Sequence, residues 1–383
     1  MLAYLSSISS IRGVGGEFRS APETFVVEEI TLEGELLEVG RNFERSGVEE
    51  GEFAHFVLQK RGWSTLDALR AVGKALGCGI RRFSYAGMKD RQATTTQLAG
   101  VFGVGPERVL AVRVKDIGIN GAWKARNKVK MGELAGNRFT VHVDGVDAKS
   151  ADIVKSIIGE NRSKVPNYFG AQRFGVRGNS NAVGERMVRG DYEGAVDEYL
   201  IGTGGEEREE AREARRRLAG ERDFGAALNY FPKHLRYERA LLAHLAQQPK
   251  DFANALRRLP RGLSLLFVHA FQAHLFNLVL SERISAGEVG ADTPASETGN
   301  LVGYDTKPNE REREVLEGLS IEPEQFRLKG MPELGSKGSR RPLLAELKDF
   351  SFTQEEGGGR FRFALGAGSY ATMALREFID QRR

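Results

Sequence analysis

Phe83-Ser84-Tyr85-Ala86-Gly87-Met88-Lys89-Asp90-Arg91-Gln92-Ala93-Thr94-Thr95-Thr96-Gln97 is the stretch on which the reading of this chain turns. Phe83 and Tyr85 alternate with Ser84, the period of two of a half-buried strand, and Ala86-Gly87 lets the backbone turn without a bulky side chain in its way. A carboxylate, Asp90, therefore arrives at a strand end between Lys89 and Arg91. Opposite charge nearby favours the ionised form and predicts a lowered pKa, which suits a nucleophile. The same cations, the hydroxyls of Thr94, Thr95 and Thr96 and the amides of Gln92 and Gln97 can hold a phosphate backbone beside it. Charge pattern alone reads more readily as a solvated turn.

Working outward, Phe25–Ile30 is a strand by its β-branched content, with Pro22 at its start or outside its ladder. Phe53–Gln59 is a second strand. Ser64 then caps a helix, with Asp67 completing a capping box, Leu66, Leu69, Val72 and Leu76 on one face, and Gly77 as the stop. Strand-like Val112–Ile119 and Phe139–Val143 follow, where Phe139 reads as a core residue. The order predicts an α+β domain with a largely antiparallel mixed sheet. Asp147–Glu160 has helical periodicity. From Asn167 to about Lys337 the chain is mainly helical: an exposed Glu/Arg-rich helix over Glu206–Arg217, helices over Leu235–Leu245 and Leu263–Ile284, and a loop over Ala286–Pro308. From about Gly338 it returns to the first domain, with a strand at Phe361–Leu365 and a helix over Tyr370–Ile379 capped by Ser369.

A chain of 383 residues is long enough for two domains, and 40% hydrophobic with 28% charged residues describes an ordinary soluble protein. A single cysteine, Cys78, excludes an internal disulfide and a Cys-based zinc site. The six histidines contain no His-x-x-x-His pair, so we expect no metal. His269, Gln272, His274 and Asn277 interrupt the longest apolar run, Leu263–Leu280, which argues against a membrane span. No secretory signal is read in the first ten residues, and a cytoplasmic protein is expected. Charge is uneven: residues 81–130 hold eleven Lys/Arg against three Asp/Glu, whereas residues 1–60 hold five against eleven. A localised basic surface of that kind fits a nucleic-acid partner, or equally a face kept for solubility. Lys124-Ala125-Arg126-Asn127-Lys128-Val129-Lys130 is its densest part, with Trp123 at its edge as an indole available for stacking. It fits a strand or loop that tracks phosphates, or an edge strand that uses lysine against aggregation.

Gly87-Met88-Lys89-Asp90-Arg91-Gln92-Ala93-Thr94-Thr95-Thr96-Gln97 resembles the Gly-x-Lys-Asp-x-x-Ala-x-Thr-x-Gln motif of the TruD family of tRNA pseudouridine synthases. Three more stretches are similar to family motifs in the family's order: Gly136-Asn137-Arg138-Phe139, Asn167-Tyr168-Phe169-Gly170-Ala171-Gln172-Arg173-Phe174-Gly175, and Gly368-Ser369-Tyr370-Ala371-Thr372, where Tyr370 replaces the commoner Phe. Pro22, Phe25, Val27 and Glu28 also match the family's first motif.

The resemblance implies a pseudouridine-synthase-like catalytic domain over residues 1–166 and 338–383, with a mainly α-helical TRUD domain inserted at 167–337. It implies conversion of uridine to pseudouridine in tRNA, typically at position 13 of the D arm, without a cofactor. We expect a monomer. Asp90 is implied as the catalytic residue, Asn137 and Phe139 as lining the pocket for the base, and Phe139 with Tyr370 as the stacking platform. Arg19 stands where the family usually has Lys and is implied to pair with Asp90. Lys89, Arg91, Phe169 and Arg173 complete the expected RNA contacts, with packing an equal alternative for Tyr168 and Phe169. Two rivals are a non-catalytic RNA-binding module and a retaining glycosidase, for which Glu28 would be a candidate second carboxyl.

Overall fold

The computed structural model describes residues 5–18, 21–46, 50–146, 149–202, 204–205 and 208–380. The chain forms two compact units, one of residues 9–165 and 345–383 and one of residues 1–8 and 166–344. The first is built on a nine-stranded sheet. Its main path runs Lys348–Glu355, Gly358–Gly366, Gly136–Asp144, Phe25–Ile30, Thr94–Phe102, Phe53–Arg61, Ile117–Ala125; off this path, short strands Glu17–Phe18 and Phe83–Tyr85 pair with Gly136–Asp144 and Thr94–Phe102 respectively. Every pairing is antiparallel except that of Phe25–Ile30 with Thr94–Phe102. This is an α+β fold with a largely antiparallel mixed sheet.

One face of the sheet carries two apolar clusters. Alternate residues Phe25 and Val27, together with Phe139, Val141 and Val143, pack with Val154 and Ile157 of helix Ser150–Glu160 and with the C-terminal turn around Leu375 and Phe378. Further along the same face Ala54, Phe56 and Leu58, with Ala99 and Val101, receive Ala68, Leu69, Val72 and Leu76 of helix Thr65–Leu76. Ser64 accepts the Asp67 amide at this helix's N-terminus, as expected, and Gly77 ends it in the left-handed conformation. The Asp67 carboxylate, however, accepts from the Ser64 hydroxyl (2.7 Å) and from Arg70, so the reciprocal half of the capping box is not formed. Gly136 is needed where it stands, because a Cβ there would lie 2.1 Å from the Leu365 carbonyl oxygen of the neighbouring strand.

The second unit is mainly helical and centres on Arg261–Ser285, whose Phe267, Phe271 and Leu275 sit in its core. This helix is long and apolar enough to cross a membrane by composition; most of its apolar stretch is buried in the unit instead. The Glu/Arg helix spans Glu209–Glu221 and is less exposed than expected: Arg215 is 1% exposed, held by Glu238 (2.8 Å) and by the Tyr199 and Leu200 carbonyls. Strand Thr298–Leu301 forms inside the expected 286–308 loop and pairs with Ser339–Pro342. That pairing keeps residues 338–344 in the helical unit, so the chain rejoins the sheet unit at Ala345. Residues 5–8 also belong to the helical unit, where the Tyr168 hydroxyl donates to the Ser6 carbonyl (3.0 Å).

Candidate active site

Between the two apolar clusters the same sheet face turns polar. Cross-strand register places Glu29 opposite Asn137 and Lys60 opposite Thr95. Glu29, Lys60, Thr95 and Gln97 are all fully buried. The segment after strand Phe83–Tyr85 crosses this stripe, and buried side chains hold its backbone. Gln97 Nε2 donates to the Gly87 carbonyl (2.9 Å), and the Lys89 amide donates to Thr65 Oγ1 (2.9 Å), which itself donates to Gln97 Oε1 (2.9 Å). Lys60 Nζ donates to the Asp90 carbonyl (2.7 Å). The Lys89 ammonium lies 2.7 Å from both Glu29 Oε2 and Asn137 Oδ1. Buried polar groups without partners cost about 1–3 kcal/mol each, so this web strongly selects one conformation of residues 87–90. It leaves the side chains of Met88 and Asp90 facing solvent, and Asp90 is the one of the two that carries a charge.

Burial raises the Asp90 pKa above its ordinary value, and Lys60 and then Lys89 oppose that rise. Part of the residue is open to water, yet the carboxyl stands against a buried floor, and the loss of hydration there outweighs the two ammonium groups. The expected lowering by Lys89 and Arg91 is therefore overturned. Adjacency in sequence did not translate into pairing: Lys89 spends its charge on Glu29, and Arg91 lies toward Asp67. Lys60 is the reciprocal case, since burial brings its ammonium down to about 8 while Asp90 opposes the fall.

The predicted site residues fall into distinct places. Asn137 faces the stripe, with Leu365 directly paired to it on the other side. Phe139 is 7% exposed, with its ring stacked on Phe25 at 6.1 Å and tilted against Phe363 at 5.8 Å, as a core residue is. Tyr370 is half-buried in the turn after strand Gly358–Gly366. It occupies the N-terminal position of a short helix, Ala371–Leu375, so Ser369 does not cap a helix running from Tyr370. Lys89 is buried and structural, in contrast to the phosphate contact expected of it. Thr94 Oγ1 donates to Pro22 and Thr96 Oγ1 to Leu37, while Thr95 and Gln97 are buried in the sheet, so these four are not available to phosphate as expected. Trp123 is buried beneath Arg45 and offers no open face for stacking. Arg19 lies outside the described residues.

Phe169 and Arg173 belong to the helical unit. The Phe169 ring is 6% exposed, with Arg341 4.0 Å from its centroid, Arg173 at 5.5 Å, and Phe276 edge-on at 5.8 Å. Its backbone is held at both ends by Asn277, so packing is its evident work. Glu28 points to the opposite sheet face, where Arg138 binds it at 2.6 Å, and that removes it as the second carboxyl of a glycosidase site. Lys60 and Thr65 were not legible as site residues. The only signal was a lysine closing an otherwise apolar strand, Phe56-Val57-Leu58-Gln59-Lys60.

The family model for tRNA pseudouridine synthase D (TruD) matches residues 2–295 and 289–378. The chain is 40% identical over 346 residues to a Methanopyrus kandleri relative bearing that family name, covering 86% of each. It is 36% identical to the tRNA pseudouridine synthase D of Geotalea daltonii, covering 99% of this chain and 100% of the relative. The crystal structure of a TruD protein from Methanosarcina mazei superposes with a TM-score of 0.77 at 31% identity, covering 97% of this chain and 95% of that one. Matched over nearly its whole length in sequence and in fold, with the Gly87–Gln97 motif built into the polar stripe of its sheet, the chain belongs to the TruD family of tRNA pseudouridine synthases.

Proposed function

We propose that this protein isomerises uridine to pseudouridine in tRNA, with Asp90 as the catalytic carboxylate and the D-arm uridine at position 13 as the target. The observation that carries the assignment is the fixed loop backbone, with Gly87 held by Gln97, Lys89 by Thr65 and Asp90 by Lys60, which presents one carboxylate to solvent from a buried polar floor. The reaction breaks the bond between C1′ and N1, turns the uracil and joins C5 to C1′; C5 loses its proton and N1 gains one. An ionised carboxylate at the sugar stabilises the positive character that develops there, by charge or by a covalent bond. Since burial raises the Asp90 pKa, the acid limb of activity lies above that of an ordinary aspartate.

The target base must leave its stack, and an aromatic platform offsets the few kcal/mol this costs. We assign that platform to Tyr370, with Asn137 orienting the base from the polar stripe. Arg19 remains the proposed partner of the Asp90 carboxylate, and Arg91 and Arg173 proposed contacts to RNA phosphates. The test is tritium release from C5-labelled uridine in an unmodified tRNA transcript, followed by mapping of the altered position. Asp90→Asn should abolish release while binding tRNA as tightly as the parent or more so. Full turnover by that variant, or no release by the parent from any tRNA, refutes the assignment.

A further inference from the structure

We infer that the groove between residues 81–85 and 128–131 holds the RNA strand flanking the target uridine, an inference that rests on the function proposed above. The groove encloses about 660 Å³ and is lined by Arg81, Arg82, Lys128 and Lys130 together with Phe102 and Met131; no carboxylate belongs to its described lining. All four cations are exposed. Only part of their charge is spent. Arg82 donates to the Gly103 carbonyl (3.2 Å) with its guanidinium 5.9 Å from the Phe102 ring centroid, and Lys130 lies 3.6 Å from Glu133 at the rim. Met131 is 67% exposed, a large apolar side chain with no core to serve.

Basic side chains around open apolar and aromatic faces are what a sequence-tolerant single-strand site uses, cations for the phosphates and flat or soft surfaces for the bases. An acidic peptide would use the charges and leave Met131 and Phe102 unexplained. The groove also runs into the catalytic loop. The Gly132 amide donates to the Ala86 carbonyl (2.7 Å), which ties its two walls together where the loop begins. Tyr85 precedes Asp90 by five residues, so the groove's near end lies within about 18 Å of Asp90 along the chain. A strand with its uridine everted onto Asp90 therefore passes its next few phosphates through this groove.

The test compares the parent with the double variant Arg81→Gln/Lys128→Gln on an unmodified tRNA transcript. KM should rise about tenfold with kcat little changed, and the log–log salt dependence of Kd should flatten by about 0.7 for each phosphate left without its cation. In a second measurement, Met131→Cys in a Cys78→Ala background carries a photoreactive group and should crosslink to nucleotides next to the modified uridine. Unchanged KM and salt slope, a fall in kcat at constant KM, or crosslinks confined to nucleotides remote from that uridine would each overturn the inference. Should the parent release no tritium from any tRNA, the catalytic reading fails, and the crosslink still decides whether the groove takes RNA.

Discussion

Replacing Lys60 with methionine separates the two things its ammonium does. The side chain is fully buried and titrates at about 8 instead of the ordinary 10.5, so its charge is costly at neutral pH. At 1.36 kcal/mol per pH unit that cost is about 3 kcal/mol. Its hydrogen bond to the Asp90 carbonyl returns about 1.5–3 kcal/mol, the range for a bond from a charged donor. The two nearly cancel, so Lys60→Met should melt within a few degrees of the parent at pH 7. Because the folded pKa is depressed, the unfolded chain binds more protons between about pH 8 and 10.5, and the parent gains stability as pH rises through that window. The methionine variant should lack this gain.

Catalysis should respond differently. Among the described residues Lys60 is the strongest influence holding the Asp90 carboxyl in its ionised form, so its removal should move the acid limb of kcat upward. Single-turnover tritium release from pH 5 to 9.5 reads that limb. An acid limb that stays put in Lys60→Met refutes the electrostatic role. Lys60→Arg, which keeps the charge throughout, should retain the acid limb of the parent.

Three further outcomes follow from the same stripe. Lys89→Met leaves the Glu29 carboxylate buried without its cation and should cost about 3–5 kcal/mol in denaturant unfolding. Glu29→Gln added to it should restore part of that loss, and strict additivity would show that the pair is not coupled. Thr65→Val removes the hydroxyl between Gln97 and the Lys89 amide and should cost about 1–3 kcal/mol, with kcat falling more than KM changes. A variant with normal kcat would mean that the loop keeps its shape without this bridge. Gly136→Ala should destabilise by more than about 2 kcal/mol and loosen the pairing of Gly136 with Gly366, read by amide exchange in both strands.

Much of the sheet was legible because its signals are local. Phe25–Ile30 and the strand opening at Gly136 announce themselves through β-branched and aromatic content. Strand Thr94–Phe102 was hidden inside the motif. Its threonines look like phosphate ligands in sequence, and only its position between Phe25–Ile30 and Phe53–Arg61 shows why they are buried. The strand expected at Val112–Ile119 lies later, at Ile117–Ala125, because Val114 and Ile117 bridge across a tight turn in which Asp116 takes a φ of 59°. Asp90 could be singled out from its motif, whereas Lys60, thirty residues away, could not. Register brings Lys60 beneath the loop, and register is a long-range property that no local pattern encodes.

The pairing of Gly358–Gly366 with Gly136–Asp144 also fixes a timetable for biosynthesis. The nascent polypeptide can collapse its helical unit as soon as residue 344 clears the ribosome, but strand Gly136–Asp144, already able to pair with Phe25–Ile30, waits for its other neighbour, translated more than two hundred residues later. Until then Phe139, Val141 and Val143 lack the cover supplied by Phe361 and Phe363. A message truncated after residue 344 would thus yield a chain holding every residue of the Asp90 loop on an unfinished, aggregation-prone scaffold.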